Sequence, residues 1–305
     1  MKTVIIGAGA MGGLFGGLLT LSREEVWLVD TWKDHIDVLR SKGISIEERG
    51  EIQTVRVNAT TDVTSVGKAD LVLFFVKTYH AEKATSDAVV LQKDDTVFLT
   101  LQNGLGNEEA ICKRVDRKNV MLGVTNHGAT LLGPGHIRHA GWGKTTIGEL
   151  DGKVTDRITR LAKVFTKGGI ETEVSSKIHH LIWNKLFVNV GINAVAALTG
   201  LKNGRLLDYP ETLRLIEALV SEAVAVARKK GIPIEGNPIE TVKAVAEATR
   251  ENRCSMGQDL DNRRKTEIDV INGAVVREAE RLGIAVPYNQ MITDLIKVME
   301  KNFQV

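Results

Sequence analysis

The sequence predicts an α/β protein: an amino-terminal, doubly wound parallel sheet over residues 1–174, then an all-helical carboxyl-terminal domain over 175–305. Three observations carry that prediction. A glycine-rich turn, Gly7-Ala8-Gly9-Ala10-Met11-Gly12, stands between a β-branched run and an apolar helical pattern, the Rossmann arrangement of strand, turn and helix. Short, nearly unbroken apolar runs recur up to residue 174, as strands buried on both faces of a parallel sheet require. Beyond that point only helical spacing is left.

Composition excludes several function classes. Of 305 residues, 43% are hydrophobic and 26% charged, and the formal charge of +2 gives no reason to expect nucleic acid or an acidic membrane as partner. Two cysteines, Cys112 and Cys254, supply neither a disulfide framework nor a zinc site, so a cytoplasmic location is the default and no metal is expected. The apolar start could pass for a signal peptide. Gly7, Gly9, Gly12, Gly13, Gly16 and Gly17 argue against that, and no other segment reads as long and apolar enough to span a bilayer.

In chain order, residues 3–6 form the first strand and Leu14, Phe15, Leu18 and Leu19 give the following helix its apolar face. In the turn between them, Gly7 makes the tight bend, Gly9 admits a pyrophosphate to the backbone and Gly12 lets helix and strand pack. The second strand, 26–29, ends in Asp30. A carboxylate there accepts from a ribose 2′-hydroxyl and repels a 2′-phosphate, which favours NAD over NADP; Lys33 could offset that repulsion, and Asp30 could instead cap the segment starting at Trp32. Apolar runs at 70–76, 96–101 and 120–124 are further strands, which bring Lys77, Asn103 and Ala129 to the ligand-binding edge. Residues 135–148 read as a hairpin. A helix over 155–166 and a strand over 170–174 complete the domain.

Residues 183–193 open the second half with one lysine and two amides in an apolar surround. On a helix, Lys185, Asn189 and Asn193 fall at i, i+4 and i+8, so they share one face. A lysine among apolar groups tends toward a lowered pKa and could exchange a proton near neutrality; a solvent-facing stripe or a structural ion pair is the alternative. Further helices are expected over 211–230, 238–250, 263–282 and 287–302, separated by glycines with nearby prolines. Apolar helical segments such as 213–226 could pack within the domain or against a second subunit, which leaves a homodimer open.

The glycine turn, Lys77, Leu101-Gln102-Asn103-Gly104, Lys185 with Asn189 and Asn193, Asn203-Gly204, Ser255-Met256 with Asp259, Thr266-Glu267-Ile268-Asp269 and Ile271-Asn272-Gly273 together resemble the ketopantoate reductase family along essentially the whole chain. The resemblance implies a Rossmann domain, a helical domain and an active site between them, reducing 2-dehydropantoate to pantoate on the route to pantothenate and coenzyme A. It implies Lys185 as general acid and Asn103, Asn189, Asn193, Asn203 and Ser255 as substrate-binding groups, with Lys185 also touching substrate. Cofactor contacts would come from Gly7, Ala8, Gly9, Ala10, Met11, Gly12, Lys77, Asn103, Ala129 and Glu267, with Asp30 at the ribose. The family usually employs NADPH, with a basic residue where this chain has Asp30, so NAD(P)H is the expected cofactor and Asp30 favours NADH. Two rivals are an NAD-dependent dehydrogenase of another branched or aromatic 2-keto acid and a non-catalytic NAD(P) sensor.

Overall fold

A computed structural model describes residues 1–304. The chain forms two compact units: Met1–Gln102 with Asn107–Ile178, and Asn103–Gly106 with everything from His179 onward.

In the first unit, β1 (Lys2–Ile6), α1 (Ala10–Leu21), β2 (Glu25–Val29), α2 (Lys33–Lys42), β3 (Ile44–Glu48), β4 (Glu51–Val55) and β5 (Asn58–Thr60) come first. They are followed by β6 (Leu71–Phe74), α3 (Ala81–Ala88), β7 (Val97–Thr100), α4 (Asn107–Cys112), β8 (Val120–Thr125) and β9 (Gly128–Gly133). β10 (His136–Gly141), β11 (Thr145–Glu149), α5 (Asp156–Lys167) and β12 (Thr172–Val174) close the unit. The main sheet has the order β12-β11-β8-β7-β6-β1-β2-β5, and all its pairings are parallel except β11 on β8. Because β1 lies between β2 and β6, the strand order reverses at β1, and ligands of open α/β sheets bind at that switch point. Side chains alternate across the sheet. Ile5, Leu28 and Leu73 face a core shared with Phe15 and Phe165, whereas Val4, Val72 and Phe74 face one shared with Phe98 and Ile111.

A second, four-stranded sheet has the order β4-β3-β10-β9. Its hairpin β3–β4 turns at Arg49 and Gly50, both at positive φ (50° and 87°), the backbone a two-residue primed turn requires. The glycines of α1 explain how one helix serves two sheets. A Cβ on Gly16 would lie 2.5 Å from Leu28 of the main sheet, and one on Gly17 would lie 2.6 Å from Ile46 of the small one. The hairpin expected over 135–148 is corrected here: β10 pairs with β9 and β3, whereas β11 leaves for the main sheet and pairs with β8 and β12. Gly143 lies on the segment that crosses between the sheets, where a Cβ would lie 2.6 Å from Asn126.

The second unit is helical: α6 (Ile178–Thr199), α7 (Pro210–Lys229), α8 (Pro238–Ala248), α9 (Ser255–Asp261), α10 (Asn272–Leu282) and α11 (Pro287–Lys301). Ser175 Oγ accepts from Lys177 N–H just before α6. α6 is apolar on nearly every side because it runs through the core, with Trp183, Leu186, Phe187, Val190 and Val195 all buried against α7 residues such as Ile216 and Val220. Two expectations need correction. α6 is long and apolar enough to cross a membrane by length and composition alone, although 61% of its most apolar window is buried inside the protein. The helix expected over 263–282 starts only at Asn272, because Arg263 takes a positive φ of 52° and Thr266 turns its N–H and hydroxyl onto Glu300. That irregular stretch carries Glu267.

Candidate active site residues in each unit

The first unit holds the elements of a dinucleotide site. Gly7 has φ of +98° and a Cβ there would lie 2.6 Å from Val76 N, so the turn after β1 is pressed against the chain leaving β6. A Cβ on Gly12 would strike Gly7 O at 1.8 Å, whereas Gly9 faces open space. Gly9 is also the N-cap of α1 and no side chain caps that end. A helix amino terminus with uncapped N–H groups and an open approach over Gly9 is the environment a pyrophosphate needs, so these residues fit a dinucleotide. Ala8 is fully buried, and Ala10 and Met11 begin the helix.

The Ala8 peptide is clamped from both sides. Its N–H donates to Asp30 Oδ2 at 2.8 Å, and its carbonyl lies 2.9 Å from His35 Nε2. Gly135 N–H donates to His35 Nδ1 at 3.0 Å, which leaves Nε2 as the protonated nitrogen that donates to Ala8. Asp30 Oδ1 accepts from Trp32 N–H at 3.0 Å, so the carboxylate also caps the segment entering α2. Each carboxylate oxygen keeps a second lone pair for a sugar hydroxyl. Lys33, 79% exposed at its side chain, is engaged with Asp37 at 2.7 Å. Lys77 follows β6 and Ala129 lies in β9, both half-buried.

The second unit gathers the remaining candidates. Lys185 sits half-buried in mid α6; desolvation pushes its ammonium down to about 8, and the Glu267 carboxylate, itself buried, pulls the other way. One turn on, Asn189 Nδ2 is buried and has no hydrogen-bond partner among the described residues. A buried amide donor without an acceptor costs about 1–3 kcal/mol, so it marks a place where a ligand oxygen would be stabilising. Asn193 is buried a further turn along. Cys254 bridges this helix to α9: its Sγ accepts from Gly257 N–H at 3.2 Å and donates to Asn193 O at 3.4 Å. Ser255, exposed at the start of α9, is thereby held near the Asn193 turn. Asn203 N–H donates to Asn252 O at 3.0 Å and its Nδ2 to Thr249 Oγ1 at 3.0 Å, which leaves its buried Oδ1 unpartnered.

Asn103 belongs to this unit as well. Leu105 N–H donates to Val270 O at 2.9 Å, and a Cβ on Gly104 would lie 2.3 Å from the same oxygen, so residues 103–106 lie on the turn just after Glu267. Lys185, Asn189, Asn193, Asn203, Ser255, Glu267 and Asn103 therefore occupy one unit, and the glycine turn, Asp30, Lys77 and Ala129 the other. His35, Trp32 and Cys254 escape sequence reading as site residues. A single histidine on a helix gives no periodic signal; His35 and Cys254 are distinguished by long-range partners, and Trp32 by its stacking on His35.

The ketopantoate reductase PanE/ApbA profile matches residues 3–152, and its carboxyl-terminal counterpart matches 177–300. The chain belongs to the ketopantoate reductase family. Among its relatives, a 2-dehydropantoate 2-reductase of Halobacterium salinarum is 37% identical over 99% of this chain and all of that protein. One of Pyrococcus horikoshii is 35% identical over 98% of each. Among solved structures, a D-mandelate dehydrogenase bound to NADH and anilino(oxo)acetate matches with a TM-score of 0.94 at 30% identity, and a PanE/ApbA family ketopantoate reductase from Ralstonia eutropha with 0.93 at 31%; each match covers the whole of both chains.

Proposed function

We propose that this chain is a cytoplasmic 2-dehydropantoate 2-reductase that draws its reducing equivalents from NADH. The observation that carries the reading is Lys185: an amine held near pKa 8, one helical turn from the unpartnered amide of Asn189. When bound, a reduced nicotinamide supplies hydride. As the ketone carbon is reduced its oxygen gathers negative charge, and Lys185 Nζ first stabilises that oxygen by a charged hydrogen bond and then protonates it. The lowered pKa makes the ammonium a stronger acid toward that oxygen while keeping it protonated near neutrality. Asn189, Asn193, Asn203 and Ser255 hold the carboxylate and hydroxyl of the substrate, a role supported by the unpartnered atoms Asn189 Nδ2 and Asn203 Oδ1. Lys77, Ala129, Asn103 and Glu267 contact the cofactor, and Asn103 touches substrate too.

The preference for NADH over NADPH is supported by Asp30, a carboxylate just after β2 that would repel a 2′-phosphate, and by Lys33 being engaged with Asp37. The same carboxylate supports a second reading, an NAD-dependent dehydrogenase of an aromatic or other branched 2-keto acid, together with the similarity to D-mandelate dehydrogenase. Turnover of 2-dehydropantoate against phenylglyoxylate and 2-ketoisovalerate, each with NADH, separates the two. A general acid contributes about 10²- to 10⁴-fold, so Lys185→Ala should lower kcat at least about 100-fold and leave NADH affinity nearly intact. An equally active Lys185→Ala enzyme removes Lys185 from the chemistry.

The chain also pairs with a second copy in this reading. α11 carries Tyr288, Met291, Leu295 and Val298, each 46–55% exposed, at the 3-4-3 spacing of a helix seam. A self-complementary apolar stripe of that kind suits a two-fold contact.

A further inference from the structure

The reading of the first unit as a dinucleotide site assigns the pyrophosphate to the glycine turn and one ribose to Asp30, and leaves the base without a partner. Trp32 is the residue next in line. Its N–H donates to the Asp30 carboxylate at 3.0 Å, and its indole lies flat on the imidazole of His35, with ring centres 5.1 Å apart and planes 11° apart. His35 is fully buried and fixed through both nitrogens, to Ala8 O at 2.9 Å and from Gly135 N–H at 3.0 Å. One indole face is thus backed by an immobile ring, while Trp32 as a whole stays 41% exposed. Exposing a large aromatic surface costs solvation free energy that burial would recover, and here the surface is already held in one orientation.

We propose that the exposed face of Trp32 is the platform on which the adenine ring of the dinucleotide stacks. The inference rests on the dinucleotide reading and extends it. In an adenylate the base leaves the ribose at the carbon next to the one bearing the 2′-hydroxyl. A ribose held by Asp30 therefore presents its base beside the residue whose backbone caps that same carboxylate. Stacking on an aromatic face is sequence-tolerant and contributes about 1–3 kcal/mol per base, so Trp32 strengthens binding of any adenine nucleotide without choosing between NADH and NADPH. That choice stays with Asp30. Trp32, His35, Ala8 and Asp30 form one connected set, so the base platform and the phosphate turn are positioned by the same hydrogen bonds.

The test measures binding without any keto acid. Titration calorimetry with NADH, ADP-ribose and reduced nicotinamide mononucleotide is run on the unmodified protein, Trp32→Ala and Trp32→Phe. Trp32→Ala should weaken NADH and ADP-ribose by about 5- to 150-fold, the range that one stacked base supports, and leave the mononucleotide, which has no adenine, unchanged. Trp32→Phe keeps a ring on His35 and should stay within about threefold of the unmodified protein. Two results overturn the proposal: Trp32→Ala binding NADH as tightly as the unmodified protein, or losing the mononucleotide to the same extent, which would mean that the glycine turn had collapsed. If the unmodified protein binds neither NADH nor ADP-ribose, the dinucleotide reading falls and takes this proposal with it.

Discussion

The carboxylate of Asp30 accepts from the glycine turn through one oxygen and from the start of α2 through the other, so its substitutions separate charge from architecture. Asp30→Asn keeps a carbonyl acceptor and removes the charge; the ratio of NADH to NADPH affinity should shift toward NADPH at least about fivefold, the effect of one unit charge at close range in a solvated site. Asp30→Ala removes the charge and both acceptors, so the ratio should shift as in Asp30→Asn while affinity for both nucleotides falls further. A ratio left unchanged in both variants would show that charge is not what discriminates. Lys185 carries its own cost in stability. Its folded pKa, near 8, lies below the ordinary 10.5, so between those values the unfolded chain binds more protons than the folded one and stability from this group rises with pH. Below about pH 8 the desolvated ammonium is a full burden. Lys185→Met should therefore unfold at higher urea than the unmodified protein at pH 7, and the gap should narrow as pH rises from about 8 to 10.5. The sequence made the stripe of Lys185, Asn189 and Asn193 visible through its spacing. It could not show that Asn189 Nδ2 is left without an acceptor, because that depends on what packs around it.

At the scale of elements, α11 starts where Pro287 permits, but the groups that secure its amino end come from far away in the chain. Glu222 of α7 accepts from Tyr288 N–H at 3.0 Å and from Asn289 N–H at 2.9 Å and Nδ2 at 2.8 Å. Asn289 in turn accepts from Asn272 Nδ2, which also donates to Val190 O of α6. Four helices meet through these three side chains. Glu222→Ala leaves three donors without their acceptor and should cost about 2–3 kcal/mol, read as a lower urea midpoint with an unchanged slope; an unaltered midpoint would show that water replaces the carboxylate at no cost. Prolines and glycines announced the helix ends from sequence. A cap supplied 66 residues upstream does not announce itself. The same limit explains the helix misplaced over 263–282: local spacing is helical there, and Glu300 overrides it by holding Thr266. By contrast, Arg49-Gly50 between alternating residues is a legible turn, and β3 and β4 were readable in principle.

At the scale of the whole chain, the change from strands to helices was plain because the two periodicities differ. What spacing could not reveal is that residues 103–106, reached from β7, join the helical unit, since that depends on Leu105 finding Val270 O across 165 residues. The stripe on α11 makes a prediction at this scale. If two copies pair through it, Leu295→Asp should shift the mass measured by light scattering from dimer to monomer and leave the helical content intact; an unmodified protein that is already monomeric at micromolar concentration would dispose of the pairing.

Reduction by this enzyme depends above all on Lys185 acting as the acid. The most direct test is kcat/KM for 2-dehydropantoate reduction by NADH from pH 6 to 10, which reports ionisations of the free enzyme. Activity should hold to about pH 8 and then fall about tenfold per pH unit as the Lys185 ammonium is lost, with that inflection absent from the residual activity of Lys185→Met. A profile level through pH 10, or the same inflection in Lys185→Met, would contradict it.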